Sequence, residues 1–153
     1  MNECTTLQVE QPPVVVDSRN IAGSAKQSLG IFDYDRVFLV CKYHIEAGSR
    51  VTAVIPFWEK ELKLKLKAIG VEIFTFRADK DKEIDDKMIL GQAGIVDGYI
   101  VTNDTSMSKF LTRGLLDRDW FNKSRIGFKF EGDQYIPIFP SSWENEVGSI
   151  QSS

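Results

Sequence analysis

Short, wholly apolar runs alternate along this chain with stretches whose apolar residues recur every third or fourth position. The first run is Val14, Val15 and Val16, preceded by Pro12 and Pro13. Three β-branched residues bounded by turn formers predict a strand buried on both faces, as in a parallel sheet. The run ends on Asp17, and Ser18, Arg19 and Asn20 form the polar turn after it. Residues 21–30, rich in Gly, Ser and Ala, predict a loop with room for one helical turn. Asp33 and Asp35 then offer N-caps. Val37, Val40, Cys41, His44 and Ile45 repeat at helical spacing, and Gly48 stops them. Residues 51–55 predict a second buried strand, closed by Pro56. Residues 58–69 predict a helix with Leu62, Leu66 and Ile69 inward and Lys63, Lys65 and Lys67 in water. A third strand is expected at 71–76, then a charged loop and a helix turning Ile84, Met88 and Ile95 inward. The fourth strand is 99–102, and a helix over about 107–116 follows. Two short strand candidates, 125–130 and 134–139, flank the turn Glu131-Gly132-Asp133.

Strands alternating with helices predict an α/β domain with right-handed crossovers and a central, mainly parallel sheet of about five strands. The simplest doubly wound layout sets the first and fourth strands side by side, where strand order reverses. Asp17 and Asp104 would then end neighbouring strands at the rim where ligands bind in such sheets. No repeat or composition break divides the chain. A polar arm at 1–11, one domain at 12–140 and a polar tail at 141–153 are expected.

Composition narrows the class. The chain has 153 residues, 42% hydrophobic, enough for one real core. A net charge of -3 gives no overall positive field, although a basic patch can coexist with it. One histidine and two cysteines cannot build an ordinary zinc site, so no zinc is expected. Cys4 and Cys41 imply no disulfide framework, which points to a reducing compartment: the cytoplasm, with the nucleus as alternative. No apolar run spans a bilayer and no signal-peptide core is visible, so no membrane partner is expected.

The candidate chemistry is acidic. Asp17 and Asp104 end strands, and Asp85 and Asp86 lie near the start of the helix joining strands three and four. All four can converge on one rim. Clustered carboxylates raise one another's pKa and cost stability unless a cation neutralises them. All-oxygen ligands suit Mg²⁺ or Mn²⁺. The competing reading is plain helix-start chemistry: first-turn acids favoured by the macrodipole at 85 and 86, and an N-cap at 104. What favours a site is that all three places fall at one rim.

Val15-Val16-Asp17-x-x-Asn20 after a strand, the Asp85-Asp86 pair opening a helix, and Gly98-Tyr-Ile-Val-Thr-Asn-Asp-Thr105 resemble the NYN branch of the PIN-like ribonucleases. The resemblance is to the Regnase (monocyte chemotactic protein-induced protein) type, and Val54-Ile55-Pro56-Phe57-Trp58 is similar to that family's second strand and turn. It covers roughly residues 12–140. It implies a three-layer PIN-like fold and an Mg²⁺- or Mn²⁺-dependent endoribonuclease cutting single-stranded or loop RNA, in RNA turnover or silencing. It also implies that Asp17, Asp85, Asp86 and Asp104 hold the metal and the attacking water. Asn20 would steady the site, and Thr102 and Asn103 would shape its rim. Pairing with a second copy or a related NYN-domain chain is expected. Arg77, Lys80 and Lys82 before the acidic pair, and Lys109, Arg113 and Arg118 after Asp104, could track an RNA backbone; solvated surface explains each equally well. Phe57 and Trp58 fit core or lid packing better than base stacking, and His44 fits buried structure.

Two positions depart from the family's usual Asp-Gly-Ser-Asn. Ser18 replaces the glycine, which implies strain if that position needs a positive φ. Arg19 would face the groove and meet a phosphate, or fold back onto Asp17 or Asp104 and displace the metal. The second arrangement defines the alternative function, a catalytically weak RNA-binding or assembly module.

Overall fold

The computed structural model describes residues 11–26, 30–77, 83–111 and 118–152. Its centre is a six-stranded sheet: β1 (Val14–Asp17), β2 (Val51–Pro56), β3 (Glu72–Phe76), β4 (Tyr99–Val101), β5 (Arg125–Glu131) and β6 (Gln134–Ile138). The order is β3-β2-β1-β4-β5-β6. All pairings are parallel except β5 with β6, a hairpin in which Phe128 faces Pro137. The helices are α1 (Ser18–Gly23), α2 (Asp35–Glu46), α3 (Lys60–Ala68), α4 (Ile84–Val96), α5 (Arg118–Ser124) and α6 (Ser141–Ser152), with a 3-10 turn at Ser106–Phe110.

The three valines of β1 are wholly buried. Removing such side chains from water contributes on the order of 1.5–3 kcal/mol each. Their alternation divides the core. Val14 and Val16 pack with Val37, Val40, Leu62 and Leu66 of α2 and α3. Val15 packs on the other face with Ile89, Leu90 and Ala93 of α4, and with Met107 and Phe121. The result is three layers, helix on sheet on helix, as the alternation of elements requires.

Local chemistry fixes the connections. Asp33 accepts a hydrogen bond from the Asp35 amide at 3.0 Å where α2 begins. Gly48 and Gly70, with φ of 101° and 93°, end the chain's run after α2 and α3. At the start of β4 the backbone passes so close to β1 that a Cβ on Gly98 would lie 2.6 Å from the Pro13 carbonyl oxygen.

Several expectations are corrected. The sheet has six strands, because the hairpin β5–β6 joins it through β4. In α4 the buried stripe is Asp85, Ile89 and Ala93, spaced by four, which turns Ile95 out to 76% exposure. The expected helix at 107–116 begins as the 3-10 turn, and 112–116 lie outside the described residues. Of the arm at 1–11, only Gln11 is described. The polar run from Ser141 is helical: Trp143 is buried, with its ring 4.9 Å from Tyr99 and 4.7 Å from Phe139. Trp143 and Val147, one helical turn apart, are its core-facing pair, too few apolar positions to stand out in a polar run. Of core or lid packing for Phe57 and Trp58, the core is excluded, because both are exposed in the turn before α3. His44 is buried as expected, with Nε2 2.8 Å from the Tyr135 hydroxyl. No helix among the described residues is long and apolar enough to cross a membrane.

If Trp143 holds α6 on the sheet, Trp143→Ala should cost about 3–5 kcal/mol in urea unfolding, the usual loss for a buried Trp. A loss below about 1 kcal/mol, typical of surface changes, would show that α6 is not docked.

Candidate active site

The site grows from the pairing of β1 with β4. Val16 lies opposite Val101, so the next residue on each strand, Asp17 and Thr102, leaves the sheet together. Asp17 is 2% exposed. A carboxylate that deep must be hydrogen-bonded. Thr102 Oγ1 donates to its Oδ2 at 2.8 Å, and the Asn20 amide donates to its Oδ1 at 3.3 Å from the first turn of α1. The same Thr102 oxygen accepts from the Asp104 amide at 3.0 Å, tying the two acidic positions through one hydroxyl.

Two asparagines brace the loop after β4. Asn20 Oδ1 accepts from the Asn103 amide at 2.8 Å. The Asn103 side chain accepts from the Phe128 amide at 3.0 Å and donates to the Phe128 carbonyl at 2.9 Å. It thereby extends the β4–β5 ladder past the end of β4. Asp104 Oδ1 takes the amide and hydroxyl of Ser106, at 2.9 and 2.6 Å.

From the other side, the first turn of α4 presents two acids about 100° apart around the helix. Asp86 joins Asp17 and Asp104: one oxygen from each lies within 4.8 Å of the others. Asp85 does not join that trio. It is 4% exposed and pairs with Arg19, Nη1 to Oδ1 at 3.3 Å. Arg19 thus sets its Nη1 on Asp85, the acid outside the trio. Ser18 is not strained. It is helical, buried, and donates its hydroxyl to the Val54 carbonyl; among the described residues the only non-glycine with positive φ is Asp97.

All four acids, with Arg19 and Asn20, line one cavity of about 230 Å³. Phe32 completes the wall at 47% exposure, and nothing in the loop sequence pointed to it. Burial pushes Asp17 up to about 7, against the Thr102 and Asn20 hydrogen bonds and with the help of the Asp86 and Asp85 charges. Burial, with the Asp85 and Asp104 charges, raises Asp86 to about 6. Burial also raises Asp85, and Arg19 opposes the rise. Three convergent carboxylates, two held far above their ordinary range, form an all-oxygen donor set that fits a hard divalent ion. His44 and Cys41 are buried in the core and offer no soft ligand here.

Of the expected basic residues, Lys109 and Arg118 line one cavity with Ser106 and Asn122. The Arg77 guanidinium lies 4.1 Å from the Phe57 ring centroid. Lys109 pairs with Glu83 at 2.6 Å, and Glu83 raises its pKa. Lys80, Lys82 and Arg113 lie outside the described residues.

A parallel sheet with β1 and β4 adjacent, and acids converging where their order reverses, defines the chain as a PIN-like domain. It belongs to the Zc3h12a-like ribonuclease NYN domain family, whose model matches residues 10–146. The fold recurs in two solved structures of the nuclear protein-only RNase P 2 (PRORP2) of Arabidopsis thaliana. One has a TM-score of 0.59 at 12% identity over 90% of this chain, the other 0.58 at 13% over 92%. The chain spans about a third of those proteins, 31% and 32%. No match was found among curated protein sequences.

The raised Asp17 makes stability fall with pH. The folded carboxyl keeps its proton up to about pH 7, against 3.8 for the ordinary group. Across that window the folded state binds more protons, so raising the pH removes stability. In chelator, Asp17→Asn should therefore gain on wild type as pH rises from about 4 to 7, in urea unfolding. Above that window Mg²⁺ or Mn²⁺ should raise the wild-type melting temperature and leave the variant unmoved. A stability difference flat with pH would show that Asp17 is not held protonated.

Proposed function

We propose that this domain is a metal-dependent endoribonuclease that cuts single-stranded or looped RNA, in RNA turnover or silencing. The observation that carries the reading is the trio Asp17, Asp86 and Asp104, converging within 4.8 Å at the carboxyl rim of the sheet. These three residues would hold Mg²⁺ or Mn²⁺, which when bound supplies charge neutralisation at the phosphate and a more acidic water.

The chain's own groups do the positioning. Thr102 and Asn20 fix the Asp17 carboxylate from two directions, and Ser106 fixes Asp104. Asp85, expected as a fourth ligand, holds the Arg19 guanidinium at the cavity wall. Arg19 keeps 41% of its side chain exposed there, where it can stabilise negative charge developing on a phosphate. The half-exposed Phe32 in the same wall would pack against an unstacked base, which a duplex cannot supply. Because Arg19 pairs with Asp85, the trio still lines the cavity, which supports an enzyme over a silent binding module.

The test is cleavage of a labelled single-stranded RNA with and without Mn²⁺. Wild type should cut, and chelator should stop it. Asp17→Asn and Asp104→Asn should each slow cleavage at least about 100-fold, since several kcal/mol of charge stabilisation goes with the ion. Arg19→Ala should slow cleavage while leaving Mn²⁺ binding intact. Wild type that binds Mn²⁺ and RNA but cuts nothing, alongside an Arg19→Ser variant that cuts, would make the binding module the better reading.

A further inference from the structure

Arg19 and Asn20 form a wall between two cavities. On one side is the acidic cavity. On the other is a cavity of about 430 Å³ lined by Arg19, Asn20, Gly23, Ser24 and Asn103, none of them acidic. Two further guanidinium groups lie nearby, one bonded to a lining residue and one to the residue before the lining Asn103. Arg36, on α2, donates from Nη1 to Ser24 Oγ at 3.1 Å, and its guanidinium carbon lies 4.4 Å from the Phe130 ring centroid. Arg125, on β5, donates from Nη1 to the Thr102 carbonyl at 3.1 Å. A methyl group on Gly127 would meet that Nη1 at 3.1 Å and Asn103 Oδ1 at 3.3 Å, so the guanidinium and the Asn103 side chain both border Gly127.

Neither Arg36 nor Arg125 pairs with a carboxylate among the described residues. Each commits one nitrogen to a protein hydrogen bond and keeps other N–H donors of its five unspent. The Phe130 ring and the Thr102 carbonyl hold the two groups in place, so little side-chain freedom is left to lose on binding.

We propose that this second cavity is a phosphate subsite, which takes the phosphodiester next to the one over the acidic cavity. The assignment rests on the endoribonuclease reading and deepens it. An RNA strand carries a charge at every nucleotide, so a strand laid across Arg19 offers one phosphate to each side. The acidic cavity attracts a cation and, without one, repels phosphate. Guanidinium groups match phosphate oxygens in geometry and keep their charge at any working pH. Arg36, Arg125 and the shared Arg19 therefore anchor the strand where it leaves the carboxylates, and set the linkage that lies over them.

Two measurements test this. The first is binding of a fluorescent single-stranded RNA in chelator, across a salt series. Each phosphate contact to a single strand contributes about 0.7 to the slope of log K against log salt. Arg36→Gln and Arg125→Gln should each flatten the slope by about that amount, the double variant by about twice it, measured below the melting temperature of every variant. Arg36→Lys should restore the slope by restoring the charge. Lys67→Gln, on the exposed face of α3, should leave it alone. The second is Mn²⁺-dependent cleavage of an RNA with one neutral methylphosphonate beside the cut. It should be cut more slowly than the native RNA by wild type, and at the native rate by the double variant.

A double variant with the wild-type slope and the wild-type response to the neutral linkage would overturn the subsite while leaving the nuclease standing. An equal loss of slope in Lys67→Gln would also overturn it, as a general field effect. Wild type that shows the arginine-dependent slope yet cuts no RNA in Mn²⁺ would support the subsite and end the nuclease reading.

Discussion

The hydroxyl of Thr102 holds this domain's chemistry together. It donates to a carboxylate at the end of β1 and accepts from the backbone that carries a second carboxylate after β4. Without it, Asp17 would be nearly buried with one oxygen unbonded, a state costing about 1–3 kcal/mol or more. The hydroxyl can do this only because β1 and β4 are neighbours in a parallel sheet. That adjacency in turn depends on the close approach of Gly98 to Pro13, where a side chain would not fit. Sheet topology, a tight backbone contact and a buried acid form one chain of dependence.

Much of this was visible in the residues, for a physical reason. Strands buried on both faces are continuous apolar runs, and a run that stops on Asp marks the rim. The three-layer fold, the adjacency of β1 and β4, and the meeting of Asp17, Asp86 and Asp104 follow from such local signals. What stayed hidden depended on long-range partners. Asp85 and Asp86 look alike in sequence, and only the helix's rotation against the sheet sends one to the trio and the other to Arg19. Ser18 looked strained because a glycine stands there in related chains; the hydroxyl instead finds the Val54 carbonyl. Phe32 sits in a short loop and Trp143 shares a polar run with only Val147 as a core-facing partner, so neither the cavity wall nor the docking of α6 was read. Arg36 and Arg125 look like ordinary surface charges until the fold sets one on Ser24 and the other on the Thr102 carbonyl.

Arg19 connects these parts. A guanidinium among four carboxylates would ordinarily neutralise whichever lies nearest. Here its Nη1 pairs with Asp85, the acid outside the trio, while its charge still lowers the pKa of Asp86 within it. The charges are sorted on either side of one residue: acids converging on one side, guanidinium groups on the other. This sorting explains how a chain with a net charge of -3 can still present a local surface suited to a polyanion.

Asn103 has a second effect, on the far side of β5. Its side chain occupies both the amide and the carbonyl of Phe128, so both point toward β4. Phe128 and its partner Pro137 are therefore a non-hydrogen-bonded pair of the hairpin. The backbone of Pro137 faces outward from β6, the edge of the sheet, and the donor that proline lacks is missing on the open side. The hairpin loses no bond inside the sheet, whereas an extra strand arriving from solvent would find a gap in its ladder. Open edges of this kind are where sheets recruit foreign chains and aggregate. The residue that braces the loop after β4 thus also fixes the register that sets a proline against strand addition, and the sheet stops growing at β6.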